Sequence, residues 1–255
     1  MIILKSDDEI KLMKRAGELV ANVLLKLEES IKPGVATGFL DKTAEEIIIS
    51  HNAKPAFKGY LGRISRIPFP GTICTSINEE VVHGIPGKRL LKEGDLISID
   101  VGVKLDGFFG DAARSFIVGK AQDKVEKLLN TTWDALNAAI DKCAAGNRLG
   151  DISNTIETLS IKRGFSVVED FVGHGIGRNM HEDPQVLNYG PPHQGPLLKK
   201  GIVIAIEPML NEGRSDVEVL KDGWTVVTSD RKLSCHFEDT VAITNEGSII
   251  LTRLN

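Results

Sequence analysis

The feature that most narrows what this chain can fold into is a faint repetition of itself. Leu91-Lys92-Glu93-Gly94-Asp95-Leu96-Ile97-Ser98-Ile99-Asp100 matches Leu198-Lys199-Lys200-Gly201-Ile202-Val203-Ile204-Ala205-Ile206-Glu207 as L-K-x-G-x-x-I-x-I-acid, and both copies end on a carboxylate. Upstream, Gly34, Gly38, Leu40, Thr43 and Glu45 align with Gly146, Gly150, Ile152, Thr155 and Glu157. The upstream block recurs after 112 residues and the strand block after 107, so only a short loop difference separates the copies. Two matches in the same order imply two related halves with a shared site between them. With no flexible linker in view, one domain over residues 1–255 is expected, its halves about 1–119 and 120–255.

Each half reads as helices followed by strands, an α+β order. Ser6 is placed to cap a first helix, with Glu9 closing the capping box three residues on. Ile10, Met13, Ala16, Val20, Val23 and Leu27 recur at helical spacing until Pro33-Gly34 stops the run. A second helix is expected over about 41–50, and the pair repeats at about 121–145 and 150–163. Strands are expected at about 72–77, 95–103, 108–118, 167–170, 202–210, 217–219, 224–228 and 237–251, the last broken by a turn near Asn245-Glu246-Gly247.

Charged residues make up 26% of the chain and the formal net charge is -4, which argues against a nucleic-acid binder. The early acids Asp7, Asp8 and Glu9 and the lack of a long apolar run speak against a secretory leader or a membrane span. Cys74, Cys143 and Cys235 are odd in number and far apart, which favours a reducing compartment, so the cytoplasm is expected.

The first chemical constellation is Asp100 with Asp111. Asp106-Gly107 is a strong hairpin signal. A two-residue turn there pairs Gly102 with Asp111 and sets Asp100 diagonally across from Asp111 on the same face. Two such carboxylates repel unless a cation lies between them, although turn-proximal acids with solvated heads are the plainer reading. The second is Gly173-His174-Gly175-Ile176-Gly177-Arg178-Asn179-Met180-His181, where glycine density implies tight backbone or close approach rather than a regular strand. Either histidine taken alone could be structural. Glu207 ends an apolar run that suits a buried strand, and Glu238 stands at the mouth of another, so each needs a partner. An ion pair would serve, but basic residues are scarce nearby. Four carboxylates and one imidazole suit Mn, Fe, Co or Zn in a two-metal site, for which hydrolysis is the reaction class.

Val82-His83-Gly84-Ile85-Pro86, Ser98-Ile99-Asp100-Val101-Gly102, Gly107-Phe108-Phe109-Gly110-Asp111, Gly173-His174-Gly175-Ile176-Gly177, His181-Glu182-Asp183-Pro184 and Ile206-Glu207-Pro208 together resemble the type I methionine aminopeptidases over essentially the whole chain. The resemblance implies the pita-bread fold, in which two pseudo-symmetric halves with an antiparallel sheet flanked by helices enclose a dinuclear metal site. It implies that Asp111 and Glu238 bridge two divalent ions (Co, Mn, Fe or Zn), that Asp100 holds one, and that His174 with Glu207 holds the other. It assigns His83, His181 and Glu207 to catalysis, with His83 and His181 touching substrate. Phe69, Cys74, Met180 and Trp224 would line the methionine pocket, and Asn78 with Ser234 would hold one monovalent cation. Met180 stands where an aromatic residue is usual, and the spacing around residues 60–70 departs from the family pattern. The implied substrates are peptide and nascent-chain N-termini with a small second residue. A transient ribosome contact is left open, and neither a membrane nor sequence-specific nucleic acid is implied. The chain lacks the N-terminal zinc-finger extension and the insertion of other subtypes, so a bacterial-like monomer is expected. Three rivals remain at this point: a proline-specific peptidase on the same fold, a binding module that has lost its metals, and a protein whose metal is structural.

Overall fold

Ser6 caps the first helix as its position ahead of Glu9 requires. Its hydroxyl accepts from Glu9 N–H at 3.2 Å, and Glu9 Oε2 accepts from Ser6 N–H at 2.9 Å. In the computed structural model, which describes residues 1–62 and 67–254, α1 (Asp7–Glu28) buries Met13, Val20, Val23 and Leu27 along one face. It ends before Pro33-Gly34, which lie in the connection beyond it. α2 (Thr37–Ser50) starts earlier than its apolar spacing suggests, although no side chain caps it. Its leading N–H groups are taken instead by a distant loop: Thr37 N–H by Arg89 O at 3.0 Å and Gly38 N–H by Gly87 O at 2.7 Å. The strands of this half are β1 (Lys54–Pro55), β2 (Cys74–Ile77), β3 (Glu80–Val82), β4 (Leu96–Leu105) and β5 (Phe108–Ile117).

The second half repeats the order with α3 (Asp123–Ile140), α4 (Leu149–Arg163), β6 (Ser166–Val167), β7 (Gly173–Gly175), β8 (Glu182–Val186), β9 (Val203–Ile206) and β10 (Met209–Asn211). It finishes with β11 (Val217–Val219), β12 (Val226–Thr228), β13 (Ser234–His236), β14 (Asp239–Thr244) and β15 (Gly247–Ile250). The sequence repeat recurs bond by bond. Gly34 N–H donates to Leu91 O at 2.8 Å, and Gly146 N–H to Leu198 O at 3.1 Å. Val118 N–H donates to Asp95 O and Ile243 N–H to Ile202 O, both at 2.8 Å. Gly94 and Gly201, at φ 85° and 90°, make the same left-handed turn into β4 and β9.

All pairings among the described strands are antiparallel. One sheet joins β1, β4 and β2, with β5 on β4, and a five-stranded sheet runs β15-β14-β9-β7-β8. Two three-stranded sheets, β13-β10-β6 and β11-β12-β3, complete the set. Helices α1 and α2 pack on the first sheet through Val20, Leu27, Leu40, Ile97 and Ile99, and α3 and α4 on the second through Leu128, Leu136, Ile152 and Ile204. Each such side chain, fully buried, contributes roughly 1.5–3 kcal/mol. The halves join edge to edge where Ala113 and Glu238 exchange main-chain hydrogen bonds of 3.3 and 3.0 Å. Beside that join Arg114 Nη2 pairs with the wholly buried Asp239 at 2.6 Å.

Two expectations need correction. The strand expected over 202–210 is cut by Pro208, which has no N–H to donate, so β9 and β10 lie in different sheets and Glu207 stands at the break. The segment around His174 forms a strand after all. Gly173 and Gly175 serve close approach within it, since a Cβ at either would lie 2.4 Å from Ala205 O or 2.1 Å from Asp183 O. The altered spacing expected around residues 60–70 falls partly on 63–66, outside the described residues. No helix among the described residues is long and apolar enough to cross a membrane.

Candidate metal centre and adjoining pocket

The β4–β5 hairpin turns at Asp106 and Gly107, at φ 50° and 86°, with Gly102 opposite Asp111 and Asp100 opposite Ala113. The diagonal expected from the sequence is therefore the one formed, and both carboxylates face the same way. From the other half, β7 carries His174, the break after β9 carries Glu207, and the residue before β14 is Glu238. Ligand atoms of Asp111, His174 and Glu238 all lie within 4.8 Å of one another. His174 Nε2 is 3.7 Å from Asp111 Oδ2 and 3.9 Å from Glu207 Oε1. Its Nδ1 sits 2.9 Å from Gly175 O, so the proton belongs on Nδ1 and the Nε2 lone pair faces the carboxylates.

The electrostatics of this cluster are those of negative charge crowded into a buried space. Burial, with Asp111 beside it, pushes Asp100 well above the carboxylate range. Burial also pushes Asp111 up to about 7. Glu207 and Glu238 are raised strongly by burial and then by the neighbouring carboxylates. Among the described residues no lysine or arginine forms an ion pair with any of the four; the ring nitrogens of His174 and His236 lie near them, and burial keeps both imidazoles neutral. Asp100 Oδ1, Asp111 Oδ1 and Glu238 Oε1 are buried without a hydrogen-bond partner. A buried acceptor left so costs on the order of 1–3 kcal/mol, which a bound cation would offset. The donor set, oxygen-rich with one neutral imidazole, fits divalent transition-metal ions.

Beside the carboxylates, Phe69, Cys74 and Trp224 pack with Phe57, Tyr60 and Ile85 as a separate apolar cluster. Cys74 stands opposite Asp100 across β2 and β4, which sets this apolar cluster beside the carboxylates. Met180 is buried but lies outside that cluster. His83, at φ 59°, is held edge-on between Phe171 and Trp224 with ring centroids 5.6 and 6.1 Å away. Burial and His181 bring its imidazole down to about 4. His181 is exposed, leans on His174 with ring centroids 4.4 Å apart and planes tilted by 59°, and is bound through Nδ1 to the Tyr60 hydroxyl at 2.8 Å. Asn78 and Ser234 are brought together by a main-chain hydrogen bond of 2.8 Å. The Asn78 amide is engaged by Asp95 Oδ1 and Leu96 N–H.

Two residues of the site escape a reading of the sequence. His236 is buried with its Nε2 3.7 Å from Glu207 Oε2, and Tyr60 fixes His181. The alternation His236-Phe237-Glu238 was the available signal for the first, since residues two apart on an extended chain share a face. Nothing local marks Tyr60.

Residues 11–245 match the sequence model of metallopeptidase family M24. The chain belongs to that family. A methionine aminopeptidase of Clostridium perfringens is 52% identical to this M24 chain over 252 residues, covering 99% of each. Methionine aminopeptidase 1 of Bacillus subtilis is 50% identical over 254 residues and the full length of both. The crystal structure of methionine aminopeptidase from Thermotoga maritima is similar with a TM-score of 0.96, 44% identity and complete coverage of both chains. The architecture of this M24 metallopeptidase is the pita-bread fold, and membership implies the use of divalent metal in hydrolysis.

Proposed function

We propose that this chain removes the N-terminal methionine from peptides and nascent proteins whose second residue is small. The observation that carries the reading is a set of buried carboxylates without ion-pair partners, next to a cluster of aromatic side chains and Cys74. Two divalent ions (Mn, Fe, Co or Zn) would be held by Asp100, Asp111, His174, Glu207 and Glu238, with Asp111 and Glu238 shared between them. Bound there, such ions supply Lewis acidity and make water a nucleophile at neutral pH.

The protein's own groups do the rest. Glu207 takes a proton from the attacking water and returns it to the departing amine. His181, its Nδ1 tied to Tyr60, offers the opposite edge of its ring to the oxyanion that forms on the scissile carbonyl. His83, kept neutral at pH 7 by burial, contacts the scissile amide. The methionine thioether packs against Phe69, Cys74 and Trp224, surfaces that make favourable contacts with sulfur. Met180 supports the pocket from beside His181. A bulky second side chain would have to pass the Tyr60–His181 pair, which is why a small one is preferred.

The remaining assignments belong to the same reading. The chain acts as one catalytic domain, its halves meeting near residues 119 and 120, and as a monomer. A monovalent cation near Asn78 and Ser234 would rest on main-chain carbonyls, because the Asn78 side chain is engaged. Three buried free cysteines support a cytoplasmic setting, where a transient ribosome contact would deliver nascent chains. The test is to assay Met-Ala-X, Met-Glu-X and Ala-Pro-X peptides with chelated protein and added Mn, Co, Fe or Zn. Fast release of methionine from Met-Ala-X alone is expected. Equal rates for Met-Ala-X and Met-Glu-X, or preference for Ala-Pro-X, would overturn the reading.

A further inference from the structure

His181 is exposed, and its ring leans on His174 at 4.4 Å between centroids. The Tyr60 hydroxyl and the main chain on either side also set its aim. That main chain is anchored by a residue far away in sequence. Lys5 Nζ lies 2.5 Å from Glu182 Oε2, and the two side chains are only 3% and 5% exposed. Glu182 Oε1 accepts from Asn179 N–H at 3.1 Å, so the carboxylate closes the 179–182 loop on which His181 stands. Lys5 is fixed in turn. Its ammonium donates to Ile3 O at 3.0 Å and its N–H to Gly201 O at 2.7 Å, at the turn into the strand that ends beside Glu207. Two glycines make room for it: a Cβ on Gly177 would lie 2.3 Å from Lys5 Cε, and one on Gly201 2.7 Å from Lys5 O. The desolvation cost of a buried ion pair leaves it a poor source of stability, and its better use is to fix a geometry.

We propose that Lys5 and Glu182 are positioning residues: their ion pair holds the 179–182 loop so that His181 reaches the oxyanion. This rests on the role given to His181 above. Neither residue touches substrate. The experiment compares Lys5→Met, Lys5→Met with Glu182→Gln, His181→Ala, and Lys5→Met with His181→Ala. For each, kcat and KM on a Met-Ala peptide, calorimetric Mn titration and thermal unfolding are measured.

Lys5→Met is expected to lower kcat about ten-fold, as misplacement of a catalytic group does, with KM and Mn stoichiometry unchanged. Adding Glu182→Gln removes the unpaired buried charge, so the Tm lost in Lys5→Met should return while kcat stays low. In the His181→Ala background Lys5→Met should cost nothing further, because both act on the same step. Normal kcat in the Lys5→Met and Glu182→Gln pair, or a further ten-fold loss on top of His181→Ala, overturns the proposal alone. Full kcat in His181→Ala overturns it together with the role of His181.

Discussion

Replacing Asp111 by asparagine removes one charge from the buried cluster and changes little in size. Burial pushes the Asp111 carboxyl from the ordinary 3.8 up to about 7. Between those values the folded chain binds more protons than the unfolded one, so the stability of metal-free protein falls as pH rises through that window. The difference of about 3 pH units corresponds to about 4 kcal/mol, reached in full above about pH 7 and absent below about pH 4. In a chain of this length 4 kcal/mol is worth on the order of 10 °C in Tm. Chelated wild-type protein should therefore unfold at a higher temperature at pH 5 than at pH 8. Chelated Asp111→Asn should show a weaker slope and, at pH 8, a Tm raised by up to that amount. Added Mn should rescue the wild type at pH 8 and the variant much less, because an amide supplies no charge to an ion. Thermal unfolding at pH 5, 6.5 and 8, with chelator or Mn, reads all of this. A chelated variant less stable than chelated wild type at pH 8 would refute the reasoning.

Loss of His174 and loss of His181 should separate cleanly. His174→Ala should weaken Mn binding by roughly 10–100-fold or more, whereas His181→Ala should keep it and lose about 10²–10³ in kcat; calorimetry and steady-state rates on both variants check this. Gly17→Ala places a Cβ 2.2 Å from Leu251 O, a main-chain atom that cannot swing aside, so about 1–3 kcal/mol of stability should be lost. Denaturant unfolding measures it, and an unchanged midpoint counts against the close approach of α1 to the chain end. Ser6→Ala should cost about 1 kcal/mol through loss of the helix cap and leave turnover unaltered in a peptidase assay.

What could be read from the sequence was whatever local chemistry decides. The Asp106-Gly107 turn set the register of β4 and β5, and with it the relation of Asp100 to Asp111. Ser6 and Glu9 marked the start of α1, and the repeated glycines marked equivalent turns in both halves. What could not be read depends on distant chain. α2 begins at Thr37 because a loop fifty residues later supplies its caps, as the Gly38 to Gly87 hydrogen bond shows. β8 and the His174 strand carry glycines and a proline that argue against strand, yet the neighbouring backbone demands it. Tyr60 reaches the site only through tertiary folding, so no spacing rule exposes it, whereas His236 could be read from the face it shares with Glu238 two residues on.

The join at Ala113 and Glu238 has a consequence for the life of the protein as well as for its chemistry. An ion held by Asp111 from one half and Glu238 from the other would span that join, and its binding free energy would add to the cohesion of the halves. At a free concentration a hundred times the dissociation constant, the addition is about 2.7 kcal/mol. The fraction of molecules open to attack by proteases would then fall about a hundred-fold. Withdrawal of the ion would therefore lower resistance to proteolysis together with turnover.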